Sequence, residues 1–281
     1  LRGVAQKVQS VAVSEGAGVT IYRSLGTPAL KHLDPFLMLD HFGSDNPDDY
    51  IAGFPEHPHR GFNTFTYMLD GHMEHRDSMG NCGDLQAGGA QWMKAASGVL
   101  HSEMPKQSNG LMRGFQLWIN LPAAEKMSDP AYQEYPAAAF PVVNGAGYTV
   151  KVLAGAYAHD GISTRGPVED PYTSVMYLDV ALATGSEWTT ALPETHSAFI
   201  YVFEGEAMIE QSVLPQHTLA VLATGEGVQI RSGGQPARFI LVSGMPLAEP
   251  LVQSGPFVMN TREEIHQAFA DFHDGRLVST K

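Results

Sequence analysis

Cysteine is nearly absent from this 281-residue chain, with Cys82 the only one. A single thiol forms no internal disulfide and leaves no Cys-based zinc site. A secreted, disulfide-held framework is therefore not indicated, and a reducing cytoplasm is the expected compartment. Positive charge is also scarce: 17 Lys and Arg face 30 Asp and Glu, a formal net charge of −13. That deficit argues against a basic face for a nucleic-acid backbone and against attachment to anionic lipid. No apolar run approaches the roughly 18 residues that span a bilayer, and Leu1 to Ser10 lacks a signal-peptide core. A Gly-x-Ser-x-Gly elbow, a Walker loop, a dinucleotide-binding glycine fingerprint and His-Glu-x-x-His are all missing. What remains is a chain that is 43% hydrophobic, enough for a sizeable core, with twelve histidines.

Glycine (29) and proline (18) are spread along the whole chain rather than pooled in one linker. Between them lie short β-prone runs: Phe62–Leu69, Gly147–Leu153, Ser174–Ala181, Ala198–Phe203, Thr218–Leu222 and Arg238–Val242. Short strands with frequent turn signals predict an all-β sandwich or barrel. A capping box, Thr261 with Glu264 three residues on, opens a helix over 261–272. A weaker helical stretch is expected over Pro122–Tyr132. Thr66-Tyr67-Met68-Leu69-Asp70-Gly71-His72-Met73-Glu74 and Ile200-Tyr201-Val202-Phe203-Glu204-Gly205-Glu206-Ala207-Met208 share a strand, an acidic-Gly turn and a second strand. The repeat predicts two related barrels in tandem, 1–140 and 141–281, with the boundary near Pro136–Asn144.

Two short segments carry the chemistry, Glu56-His57-Pro58-His59-Arg60-Gly61 and Gly98-Val99-Leu100-His101-Ser102-Glu103-Met104. Residues two apart in a strand share a face, so His57 pairs with His59 and His101 with Glu103. Two such strands lining one barrel present three imidazoles and a carboxylate at a point. Those donors suit divalent Fe, Mn, Ni, Cu or Zn. On an octahedral ion they leave two positions open, as catalysis needs. Pro58 cannot donate to a sheet ladder, which places its strand at an edge or a strand start. The competing set is His72, Glu74 and His75, which follow the Asp70-Gly71 turn and are expected at the surface. His32 and His41 are expected to be structural or wall residues. His159, His196, His217, His266 and His273 form no comparable pair. Cys82 is expected to be an exposed, inert thiol. Phe54, Arg60, Trp92 and Met104 are candidate pocket walls by adjacency alone.

At these residues the sequence resembles the pirin family of the cupin superfamily. The resemblance lies in Leu33-Asp34-Pro35-Phe36-Leu37-Met38-Leu39-Asp40-His41-Phe42, in His57–Phe62 through Tyr67–Gly71, and in Gln91-Trp92-Met93, Gly98 and His101–Pro105. It is dense over the first 120 residues and looser through Phe199–Gly205 and Phe257–Glu264. The resemblance implies two tandem cupin (double-stranded β-helix, jelly-roll) barrels with a few short helices. It further implies one mononuclear metal in the N-terminal barrel, usually Fe(II), with Ni, Cu, Mn, Co or Zn as alternatives. The ligands carried over are His57, His59, His101 and Glu103. The second barrel would carry no metal, and an ungapped match of Tyr201 to Tyr67 does place Ala191 and Pro193 where His57 and His59 stand. Asn63 stands where the family often has Glu, and Cys82 where Arg is common; neither position is a ligand.

The resemblance implies a quercetin 2,3-dioxygenase-like oxidoreductase acting on a small aromatic, flavonol-like substrate and O2. A flavonol would chelate the metal through its 3-hydroxyl and neighbouring carbonyl, and metal binding would lower the hydroxyl pKa. Glu103 would accept that proton as the catalytic base, and dioxygen would open the heterocycle with release of carbon monoxide. The alternative that the resemblance admits is a non-enzymatic, iron-dependent regulator of a protein partner, either a transcription factor or a metabolic enzyme. Acidity argues against direct nucleic-acid contact in either case, and no membrane association is expected.

Overall fold

A computed structural model describes residues 1–278, and nearly all of its regular structure is β. The chain divides into two compact units that are not consecutive halves. One comprises 1–11, 24–35 and 138–246; the other comprises 12–23, 36–137 and the chain from Leu247 on. A single cut at 140 is thus corrected at both ends. The strand Val4–Gln9 pairs antiparallel with Thr218–Leu222, so the start of the chain completes the sheet of the later unit. The helix Arg262–His273, near the end of the chain, buries Ile265 and Ala268 against Phe257, Met259 and Leu277 in the earlier one.

The unit built mainly from 138–246 holds a nine-stranded sheet. Ser197–Ile209 and Gly227–Gly244 are its central pair. From Ala198 to Phe203 every residue is buried, because the apolar run is covered on both faces. Glu187–Ala191 instead alternates, turning Trp188 and Thr190 inward. Trp188 donates its indole N–H to the Tyr157 hydroxyl at 2.9 Å, which satisfies a polar atom within the apolar core. Arg2 is 2% exposed, and its guanidinium donates to the carbonyls of Gly225, His196 and Pro193 at 2.8, 2.9 and 2.6 Å.

In the other unit a seven-stranded sheet runs in the order Ala131–Tyr135, Ala90–Lys94, Phe62–Asp70, Met112–Asn120, Phe36–Ser44, Val19–Leu25 and Val11–Glu15. A four-stranded sheet orders Phe54–His59, Val99–Pro105, His72–Asp77 and Cys82–Gln86. Phe54–His59 is the edge strand, the position at which Pro55 and Pro58 cost no ladder hydrogen bond. The expected helix over Pro122–Tyr132 is corrected to a 3-10 turn, Ala123–Glu125, followed by the strand Ala131–Tyr135. Pro130 disfavours the helical region for Asp129, and Ala131–Tyr135 gains backbone pairing with Ala90–Lys94. The capping box at Thr261 is present, with both of its hydrogen bonds made. No helix among the described residues is long and apolar enough to cross a membrane.

Candidate metal centre

Strand pairing brings the two histidine segments side by side. Val99–Pro105 lies antiparallel to Phe54–His59, with His101 directly opposite His57. Ring centroids are 4.3 Å apart for His57 and His101, 4.8 Å for His57 and His59, and 4.9 Å for His59 and His101. One nitrogen from each ring fits within a group no more than 4.8 Å across. His57 Nδ1 lies 2.8 Å from the Pro55 carbonyl, which fixes the ring and leaves Nε2 for a ligand. Burial, reinforced by the neighbouring imidazoles, holds His59 and His101 well below the usual histidine value. These rings are therefore neutral, the form that coordinates a cation.

A metal fits this donor set on two grounds. First, His59 Nδ1 and both nitrogens of His101 are buried with no hydrogen-bond partner, although buried polar groups are ordinarily satisfied. Second, Glu103 is 4% exposed and pairs with no Lys or Arg among the described residues. Its carboxyl group instead accepts from Gln91 Nε2 at 2.5 Å and Gln116 Nε2 at 3.3 Å, while Thr66 Oγ1 lies 3.1 Å away and shares its one proton with Gln116 Oε1 at 2.5 Å. A buried acidic side chain beside the neutral rings of His59 and His101, with no Lys or Arg paired to it, is a site that lacks positive charge. Glu103 groups with His101 and His75, while His101 also groups with His57 and His59, so His101 joins the two clusters.

His75 corrects the surface expectation. It is fully buried, lies opposite Glu103 on the adjacent strand and stacks on Tyr132 with centroids 4.4 Å apart. The strand His72–Asp77 carries the signal in its own pattern: Met73, His75 and Asp77 alternate in phase, and Met73 marks the inward face. His72 and Glu74 point the other way. His72 Nε2 lies 2.7 Å from an Asp84 carboxylate oxygen, and Glu74 accepts from Arg76 at 2.6 Å. Cys82 is exposed. One thiol per folded chain should therefore react with a disulfide reagent without loss of bound metal; slow labelling that requires denaturant would contradict this. His41 is buried and stacked on Phe115, while His32 is exposed.

A cavity of about 630 Å³ opens beside the centre, and all of its lining residues belong to this unit. His57, His59 and Glu103 reach it, together with Met38, Phe42, Phe54, Met73 and Trp118. Of the four wall candidates only Phe54 lines it. Arg60 turns away to donate to the Ser97 carbonyl at 2.6 Å and to Asp271 at 2.8 Å. Arg23, Asp40, Gln253 and Pro256 also line the cavity, and adjacency does not reveal them because they come from distant parts of the chain. Arg23 grips Asp40 through two bonds of 2.7 Å. Burial pushes the Asp40 carboxyl up to about 6, and Arg23 opposes the rise.

Fold and site together define a two-cupin protein with one centre of histidine and carboxylate donors. The Pirin profile matches residues 18–119 and the Pirin C-terminal cupin domain matches 177–278, and the chain belongs to the pirin family. A pirin-like protein of Caulobacter vibrioides is 44% identical over 277 residues, covering 98% of this chain and 99% of that protein. Human Pirin is 41% identical over 280 residues, covering 97% and 93%. A crystal structure of quercetin 2,3-dioxygenase from Acinetobacter baumannii has a TM-score of 0.90 at 31% identity and covers 99% of both chains.

Proposed function

We propose that this chain is a mononuclear, Fe(II)-dependent dioxygenase of the cytoplasm that opens flavonols such as quercetin with O2. His57, His59, His101 and Glu103 would hold the ion. The observation that carries the reading is the cavity of about 630 Å³, into which two imidazoles and the carboxylate of Glu103 project beside apolar walls. Its volume lies within the roughly 300–1,000 Å³ usual for small-molecule sites.

The bound ion supplies Lewis acidity, which lowers the pKa of a coordinated hydroxyl. Glu103 accepts the substrate's hydroxyl proton, and Gln91, Gln116 and Thr66 hold the carboxylate in place while it does so. Trp118 and Phe54 offer aromatic faces to the flat rings, and Met38 and Met73 complete the apolar wall. These residues exclude water from the reacting carbon atoms.

The test uses purified protein of known metal content under air, with flavonol absorbance and carbon monoxide followed together. Turnover on a flavonol panel is expected, and Glu103→Gln should lower the rate per bound metal by about 10²–10⁴-fold. Stoichiometric metal with no turnover on any flavonol would overturn the enzymatic reading and favour a metal-dependent regulator of a protein partner.

A further inference from the structure

His75 and Asp77 play no part in the reading above, yet they lie opposite Glu103 and His101 on the adjacent strand. Both side chains are 0% exposed, and His75 Nε2 lies 3.1 Å from Asp77 Oδ2. Asp77 also accepts from the backbone N–H groups of Met79 and Asn81 at 2.9 and 3.0 Å, and from the Asn81 amide at 2.9 Å. A carboxylate surrounded by donors acts as the acceptor toward His75, so the His75 proton sits on Nε2. In the neutral ring Nδ1 is the acceptor nitrogen, and His75 Nδ1 is buried without a partner.

Next to it is His101, with ring centroids 5.4 Å apart. Only one His101 nitrogen can face the space shared with His57 and His59. A neutral imidazole carries its single proton on the other nitrogen, which then needs an acceptor. Glu103 accepts from the side-chain amides of Gln91 and Gln116 and is taken up by the proposed ion. His75 groups with His101 and Glu103, and it falls outside the group that contains His57 and His59. It therefore flanks His101 on the side of Glu103, opposite the side shared with His57 and His59.

We propose that His75, pinned by Asp77, is a positioning residue that accepts the outward N–H of His101 and so fixes which His101 nitrogen meets the metal. The proposal rests on the metal-binding reading. One ring nitrogen of each lies within 4.8 Å of the other, and His75 Nδ1 and both His101 nitrogens are still without partners, so the proposed bond is one that forms as the ion is bound. Such outer supports of a ligating histidine are worth about 10–100-fold in metal affinity.

The test loads full-length apo-protein with Co(II) and with Cu(II). Affinity is measured by chelator competition, and coordinating nitrogens are counted from Cu(II) superhyperfine structure. His75→Phe keeps a ring against Tyr132 and removes the acceptor. It should bind Co(II) about 10–100-fold more weakly with an unchanged nitrogen count. His75→Asn places an amide oxygen near the position of Nδ1 and should recover part of the loss. A packing role would rank Phe above Asn, so that order, or affinities within twofold of wild type for both, overturns the proposal. Loss of one nitrogen from the count would make His75 a ligand and overturn it as well. If Phe is not accommodated, as judged by the thermal midpoint, His75→Ala replaces it as the comparator. Failure of the wild-type chain to bind either ion removes the metal-binding reading itself, and this inference with it.

Discussion

His101→Ala should leave the protein folded and nearly free of metal. His101 joins the His57–His59 group to Glu103, so its loss disconnects both sides of the centre. The affinity loss should exceed the roughly 10–100-fold that an outer support is worth, because a donor itself is removed. Removal also frees the fold of a buried ring with two unpartnered nitrogens, so the apo-protein should not suffer the full cost of a large core truncation. His72→Ala is the matched control: its ring is engaged with Asp84 on the opposite face and should retain metal at the wild-type level. Elemental analysis of both variants, purified side by side, decides the matter. If the His72 variant were the empty one, the assignment of the centre would be wrong.

Gly61→Ala should cause the largest loss of stability. Gly61 has φ +92°, and an added Cβ would lie 1.9 Å from the Val258 carbonyl oxygen. That contact is between backbones and cannot relax by a side-chain rotation. It lies where the segment Phe257–Met259 meets the end of the strand Phe54–His59, with Val258 N–H donating to the Arg60 carbonyl at 3.0 Å. Lys126 closes the same junction from inside, donating to the carbonyls of Gly61 and Val258 at 2.7 and 3.0 Å and to Asn120 Oδ1 at 2.6 Å. Backbone strain of about 1–3 kcal/mol adds to overpacking of about 1–3 kcal/mol, giving a total of roughly 2–6 kcal/mol. Gly80 separates the two causes, since it has φ +90° with nothing within 4 Å of an added Cβ. Gly80→Ala should show the strain alone. Equal denaturation midpoints for the two variants would remove the clash from the account. Pro256 and Gln253 also line the cavity, so Gly61→Ala should disturb its wall, and with it the proposed flavonol binding, as well.

Much of the site is legible in the sequence because strand geometry is local. A period of two places His57 with His59 and His101 with Glu103, whatever sheet they join. The register that sets His57 opposite His101 is a pairing between strands some forty residues apart. Once both pairs must face a core, that register is strongly constrained. The same rule applied to His72–Asp77 places His75 inside with Met73. The Asp70-Gly71 turn before it points toward exposure instead, and that weaker signal misleads. The helix expected over Pro122–Tyr132 fails because propensity alone supports it, whereas an open strand edge on Ala90–Lys94 decides the outcome.

The sequence by itself determined an all-β chain, the capped helix near its end, and the pairing of His57 with His59 and of His101 with Glu103 on common strand faces. Each follows from composition or from spacing within a few residues. Tertiary structure decided which unit each end of the chain completes, that His75 packs beside His101, and that Arg23, Asp40, Gln253 and Pro256 wall the cavity. These depend on which edge a strand pairs with and which face is covered. Both are set by contacts between residues tens to hundreds of positions apart, which no local pattern encodes.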